Sequence, residues 1–155
     1  MSARTAISPV VTADKLVRVV YLVDTNVVSE ARKGRQANAG VRQFWRDVDA
    51  ADIYLPVQVI GEIRRGVENI RYRGDSGQAL MLEKWLDRVV SGYAERILAF
   101  DAECAQVWGR LMSHNHQHPI DKQIAAIALM HDLTVVTRNV ADFSGSGVAV
   151  KNPFQ

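Results

Sequence analysis

Four acidic residues are spaced so that one folded crevice could gather them: Asp24, Glu62, Asp121 and Asp142. Asp24 closes the run Val19-Val20-Tyr21-Leu22-Val23, which is short and β-branched enough to read as a buried strand. A carboxylate where such a strand ends points into the crevice at the carboxyl edge of an open sheet, where α/β folds hold ligands. Thr137-Arg138-Asn139 closes a second strand-like run, Leu133 to Thr137, and emerges at the same edge. Glu62 and Asp121 fall near expected helix starts, which in α/β units lie on that edge too. Like charges gathered this way do not all ionise unless a cation neutralises them. Hard oxygen ligands favour magnesium or manganese over zinc. Two such ions about 3.5–4 Å apart activate water and stabilise the leaving oxygen of a phosphodiester.

Each acid also has a plainer explanation. Asp24 can cap the next helix, and Glu62 can pair with Arg64 or Arg65. Asp121 suits the first turn of a helix, where the dipole favours a carboxylate, and Asp142 suits a turn before Phe143. Their joint placement at one sheet edge is what singles them out. Arg32, Lys33, Arg35, Arg64, Arg65, Arg71 and Arg73 crowd the first half of the chain. They read either as solvated helix faces or as a basic rim for a polyanion.

The segment His114-Asn115-His116-Gln117-His118 invites a transition-metal reading. No cysteine or nearby acid completes a ligand shell there, so it reads as a solvated loop flanking the crevice. Cys104, the single cysteine, shares the stripe of Val107, Trp108 and Leu111 and reads as a small core residue. One cysteine allows no intramolecular disulfide, in keeping with a reducing cytoplasm.

The elements that must position these residues alternate. After the first strand, Thr25 or Asn26 caps a short helix through Ser29 to Arg32, and Gly34 to Gly40 is a loop. Asn38 caps a helix with the stripe Val41, Phe44, Trp45, Val48. Ile53 to Pro56 is a strand, and a long helix follows with Val59, Ile60, Ile63, Val67 and Ile70 inward. After Gly74 to Gly77 a helix carries Leu82, Leu86 and Val89. Ile97 to Phe100 is a strand, and Asp101 caps the helix through Leu111. A helix from about Ile120 carries Ile124, Ile127 and Met130, and Val148 to Val150 is an edge strand after the last full one. Strands separated by helices predict a parallel sheet covered on both faces.

At 155 residues the chain is long enough for one domain with a proper core. No apolar run reaches the roughly 18–20 residues that span a bilayer. The first stretch, Met1 to Lys15, lacks the apolar segment of a signal peptide. A net charge of +2 decides nothing alone.

Four blocks carry a family resemblance: Leu22-Val23-Asp24-Thr25-Asn26-Val27, Val59-Ile60-Gly61-Glu62-Ile63-Arg64-Arg65-Gly66, Ile120-Asp121-Lys122-Gln123-Ile124-Ala125-Ala126 and Thr137-Arg138-Asn139-Val140-Ala141-Asp142-Phe143. They resemble the motif blocks of PIN-domain ribonucleases, in particular VapC-type toxins of bacterial toxin–antitoxin pairs in the FitB-like branch. The tail Gly147 to Phe154 resembles the end of that branch. The likeness implies a single α/β PIN-like domain over residues 18–155, a mostly parallel sheet flanked by helices in an α/β/α sandwich. Residues 1–17 are then an N-terminal extension, either disordered or a mis-assigned start.

The resemblance implies that Asp24 and Asp121 are the principal Mg2+ (or Mn2+) ligands. Glu62 shares that metal site or orients the attacking water. At the fourth position some members carry an acid where this chain has Asn139, and others rely on the residue matching Asp142; both stay candidates. Asn26 and Thr137 are implied hydrogen-bonders behind the acids, and Arg64 and Arg65 the candidates for contact with RNA. The implied reaction is metal-dependent endoribonuclease hydrolysis of tRNA, rRNA or mRNA in the cytoplasm. The implied partners are a second copy in a homodimer and a VapB-type antitoxin, joined in a hetero-oligomer, with no membrane involved. A phosphotransfer fold with Asp24 as nucleophile fits worse, since Asn26 stands where a haloacid dehalogenase needs a second Asp. The remaining alternative is a catalytically weak module that binds RNA or a partner without cutting.

Overall fold

The computed structural model describes residues 18–155; the expected extension, residues 1–17, lies outside them. Short β-branched runs become strands here because both of their faces can be covered. β1 (Tyr21–Val23) leads through α1 (Thr25–Ala31) and α2 (Ala39–Asp47) into β2 (Ile53–Pro56). The pair α3 (Val57–Tyr72) and α4 (Ser76–Gly92) then precedes β3 (Ile97–Leu98). α5 (Ala102–Met112) and α6 (Pro119–His131) lead into β4 (Thr134–Val136), and β5 (Val150–Lys151) closes the sheet.

The five strands are parallel in the order β3-β2-β1-β4-β5. Side chains alternate across β1, so Leu22 faces one layer and Val23 the other. Val23 packs with Val27, Val41, Phe44, Val59 and Ile63 from α1, α2 and α3. Leu22 packs with Cys104, Ile124, Ile127 and Val135 on the α5–α6 side. Each fully buried aliphatic side chain of this kind contributes about 1.5–3 kcal/mol. That two-sided burial fixes the end of β1 firmly enough to hold a polar residue just beyond it.

The strand order makes the position of the site. From β1 the chain first builds to one side, through β2 and β3, and later returns on the other side as β4. Such reversals open a crevice outside the carboxyl ends of the two central strands. Register places Val23 opposite Val136, so the residues that follow, Asp24 and Thr137, leave the sheet side by side.

Most expected elements form, with instructive shifts. α1 starts at Thr25 and is capped by Asp24 rather than by Thr25 or Asn26, since the Asp24 carboxylate accepts from the Thr25 amide at 2.8 Å. β3 ends at Leu98 rather than Phe100 because Leu98 pairs with Pro56, and β2 turns into α3 there, leaving nothing to pair with. β5 begins at Val150 rather than Val148 because the turn persists through Gly147, whose φ is +79°. Met130, expected inward, is exposed, whereas Ile124 and Ile127 are fully buried. Cys104 is buried as expected. No described helix is long and apolar enough to cross a membrane.

The C-terminal segment is stitched to the start of α2. The Asn38 side chain caps α2 through the Gly40 amide at 3.0 Å, donates to the Gln155 carbonyl at 2.8 Å and accepts from the Gln155 amide at 3.0 Å. A Cβ at Gly40 would run into the Pro153 carbonyl. Gly40→Ala is therefore expected to lower the unfolding free energy in urea by about 1–3 kcal/mol, as for overpacked sites. Gly61→Ala, with open space around it, is expected to change it little or to raise it.

Candidate metal centre

Asp24 is the best-held acid in the chain, only 4% exposed. One carboxylate oxygen caps α1; the other accepts from the Thr137 hydroxyl at 2.9 Å and from the Asn26 amide at 3.3 Å. The Asp24 backbone amide donates to the Val136 carbonyl at 2.9 Å, tying β1 to β4 just before the site. Asn26 spans the gap further. Its amide group also reaches the Thr137 hydroxyl at 3.2 Å, and its carbonyl oxygen accepts from the Arg138 amide at 3.0 Å. The capping explanation for Asp24 is thus correct for one of its oxygens and leaves the other to the crevice.

The other acids surround this anchor. Burial raises the Asp24 pKa, its three hydrogen bonds pull it back, and the charge of Asp142 raises it again. Asp121, in the first turn of α6, is pushed from 3.8 to about 6 by loss of water and by the charges of Asp24 and Asp142. Glu62, exposed on the first half of α3, is raised by partial loss of water and by the charges of Asp24 and Asp121. Asp24, Glu62 and Asp121 are therefore each raised in part by the charge of a neighbouring carboxylate across one crevice. Neither Asp24 nor Glu62 forms an ion pair among the described residues.

Asn139 and Asp142 stand in different settings at the same turn. Asn139 is exposed; its amide donates to the Thr137 hydroxyl at 3.1 Å and its carbonyl accepts from the Asp142 amide at 3.1 Å. It shapes the 3-10 turn Val140–Phe143 that carries Asp142 to the crevice, where the Asp142 charge acts on Asp24 and Asp121. Arg64 is engaged with Glu68 at 3.3 Å and with Glu83 of α4, rather than with Glu62. Arg65 has no ion-pair partner among the described residues.

One expectation needs correction. The histidine segment does have nearby acids: His118 Nε2 lies 3.5 Å from Asp142 and Nδ1 lies 3.8 Å from Asp121. The reason is local. His118 precedes Pro119, the first residue of α6, so Asp121 follows three positions later on the same side of the helix start. That spacing was the available signal. Two further residues near the crevice carry no signal in the sequence pattern. Lys122, only 8% exposed, sends its ammonium to the Gln117 carbonyl, and Gln58 of α3 donates to Gln123 of α6 at 3.2 Å.

The residues present suit a divalent cation. The donors are hard oxygens, and Asp24 and Glu62 have no ion-pair partner among the described residues. Asp24, Asp121, Glu62 and Asp142 are the groups that would hold it.

The raised Asp121 pKa has a measurable consequence. Between 3.8 and about 6 the folded chain keeps a proton that the unfolded chain releases, so stability falls as pH rises through that window and stays lower above it. Asp121→Asn removes the penalty but also a favourable helix-dipole contact, for a net gain of about 1 kcal/mol near neutral pH and none near pH 3.5. Urea unfolding in EDTA measures this. Millimolar magnesium should stabilise the wild type and not the variant, because only the folded wild type binds it well.

Comparison with known proteins agrees with this architecture. The PIN domain family matches residues 21–144. Plasmid stability protein StbB of Pseudomonas syringae pv. tomato is 32% identical over 88% of this chain and 99% of its own length. Toxin FitB of Neisseria gonorrhoeae is 33% identical over 87% and 99%, and VapC ribonuclease Y4jK of Sinorhizobium fredii 26% identical over 88% and 99%. The crystal structure of FitAcB from Neisseria gonorrhoeae superposes with a TM-score of 0.77 at 31% identity, covering 86% of this chain and 98% of that one. With the PIN match spanning most of the sheet and its crevice, the chain belongs to the PIN-domain family, in its FitB-like branch.

Proposed function

We propose that this protein is a divalent-metal-dependent endoribonuclease and the toxin of a type II toxin–antitoxin pair. The observation that carries the reading is the convergence of Asp24, Glu62, Asp121 and Asp142 at the β1/β4 crevice, with Asp24 held from behind by Thr137 and Asn26. The relatives support it: one is called a toxin, another a VapC ribonuclease, and FitAB is solved bound to a DNA fragment. By that analogy a VapB-type antitoxin covers the crevice, and the toxin acts in the cytoplasm on tRNA, rRNA or mRNA.

In this reading water attacks the phosphorus of an RNA phosphodiester in line, the bond from phosphorus to the 3′ oxygen breaks, and a 5′-phosphate and a 3′-hydroxyl are released. Magnesium or manganese, when bound, supplies Lewis acidity and neutralises charge on the phosphate. The chain's own residues do the rest. Asp24 and Asp121 bind the ion, and the hydrogen bonds from Thr137 and Asn26 keep Asp24 from turning away. Glu62, exposed on α3 and with its pKa raised by loss of water and by the charges of Asp24 and Asp121, is the candidate base for the attacking water. Arg65, three residues after Glu62 on α3, exposed and without an ion-pair partner among the described residues, is the candidate to meet the RNA backbone.

The test is cleavage of a labelled tRNA and rRNA panel with magnesium or manganese. Discrete cuts are expected, abolished by EDTA and by Asp24→Asn, and reduced about 10- to 100-fold by Thr137→Val, which touches a ligand rather than the ion. Equal cutting by Asp24→Asn would betray a contaminant. RNA binding without cutting by wild type would leave a binding module instead.

A further inference from the structure

We propose that His118, Asp121 and Asp142 form a mixed nitrogen–oxygen subsite, with His118 as an imidazole ligand that biases the metal centre toward a first-row transition ion over magnesium. The proposal rests on reading the carboxylates as a divalent-cation site, not on RNA cleavage.

The imidazole stands between the two carboxylates, with Nε2 3.5 Å from Asp142 and Nδ1 3.8 Å from Asp121. One ligand atom from each of the three residues lies within 4.8 Å of the other two. These separations exceed hydrogen-bonding distance, so neither ring nitrogen is joined directly to an acid. Ligands sharing one ion at about 2.0–2.2 Å stand about 3–4 Å apart, which a small inward movement of the longest pair would give.

The backbone argues that the histidine is held there. His118 has φ +54° and ψ +57°, a left-handed conformation that a residue with a Cβ adopts reluctantly. It persists because both neighbouring carbonyls are fastened. The buried Lys122 ammonium takes the Gln117 carbonyl, and the Trp108 indole donates to the Pro119 carbonyl at 3.0 Å. Strained positions fixed from both sides tend to serve sites. With 45% of its side chain exposed, His118 stands at the open rim of the crevice, where an ion would keep positions for water or phosphate.

Imidazole suits iron, nickel, copper and zinc and is a poor ligand for magnesium; manganese shares magnesium's preference for carboxylates but, as a first-row transition ion, accepts an imidazole beside them more readily. Two aspartates with one histidine therefore lean toward the transition ions, whereas the Asp24–Glu62–Asp121 side, all oxygen, does not discriminate in that direction.

Manganese is the probe, because its paramagnetism reports the nitrogen directly. The metal-stripped full-length protein is titrated with manganese by electron paramagnetic resonance, and the bound ion is examined for nitrogen-14 coupling by electron spin-echo modulation. The expected result is imidazole coupling in the wild type and none in His118→Gly, where glycine accepts the same backbone without strain. Manganese affinity should fall about tenfold or more in the variant while magnesium affinity, read by competition, barely changes. Manganese bound without nitrogen coupling in the wild type, or a parallel loss of both ions in the variant, overturns the proposal alone. No binding of either ion by the wild type at millimolar concentration overturns it together with the cation reading of the carboxylates.

Discussion

The hydrogen bond from the Thr137 hydroxyl to the Asp24 carboxylate is the contact on which the site depends. It joins the residues that follow the two central strands, and nearly everything else in the crevice is arranged around it. Asn26 reaches both partners, the Asn139 amide leans on the same hydroxyl, and the turn that begins at Asn139 delivers Asp142. A threonine can do this because its hydroxyl donates and accepts at once. Valine, the same size, would leave Asp24 buried with fewer donors and Asn139 without an anchor.

The crevice stores electrostatic tension that the core must absorb. Aliphatic side chains on both faces of β1 secure the strand end, and that security allows acids to be gathered against their own repulsion. The arrangement is the usual exchange in binding sites, in which stability of the empty protein is given up for affinity toward a counter-charge. The direction of every shift follows from it: Asp24, Glu62 and Asp121 are all raised, and for each the largest cause is loss of water.

Much of this was legible in the sequence, for identifiable reasons. Alternation of β-branched runs with helical stripes gave the parallel sheet, and the carboxyl-edge rule placed Asp24 beside Thr137 without any contact being known. The extents of β3 and β5 were not legible, since they are set by partners: β2 bends away at Pro56, and Gly147 holds its turn open. Asn38 was visible as a cap, but its grip on the chain's last residue was not, because that contact spans 117 positions. His118 was misjudged for a subtler reason. Its orientation is set by a left-handed backbone and by a lysine buried under the loop, and single-residue patterns report neither.

The topology also orders events in time. β1 lies at the beginning of the described chain, yet its second neighbour, β4, is separated from it by more than one hundred residues, with Asp24 and Thr137 113 apart. During synthesis β1, β2 and the α1–α4 layer can assemble while one edge of β1 stays open, an edge that invites mispairing until β4 arrives. The acids are then scattered between a finished half and an unfinished one. A chain arrested before β4 holds Asp24, Glu62 and Asp121, but the first of them lacks the Thr137 hydroxyl and keeps only its contacts to Thr25 and Asn26. The crevice is thus assembled by a long-range pairing, and it is incomplete until β4 has taken its place beside β1.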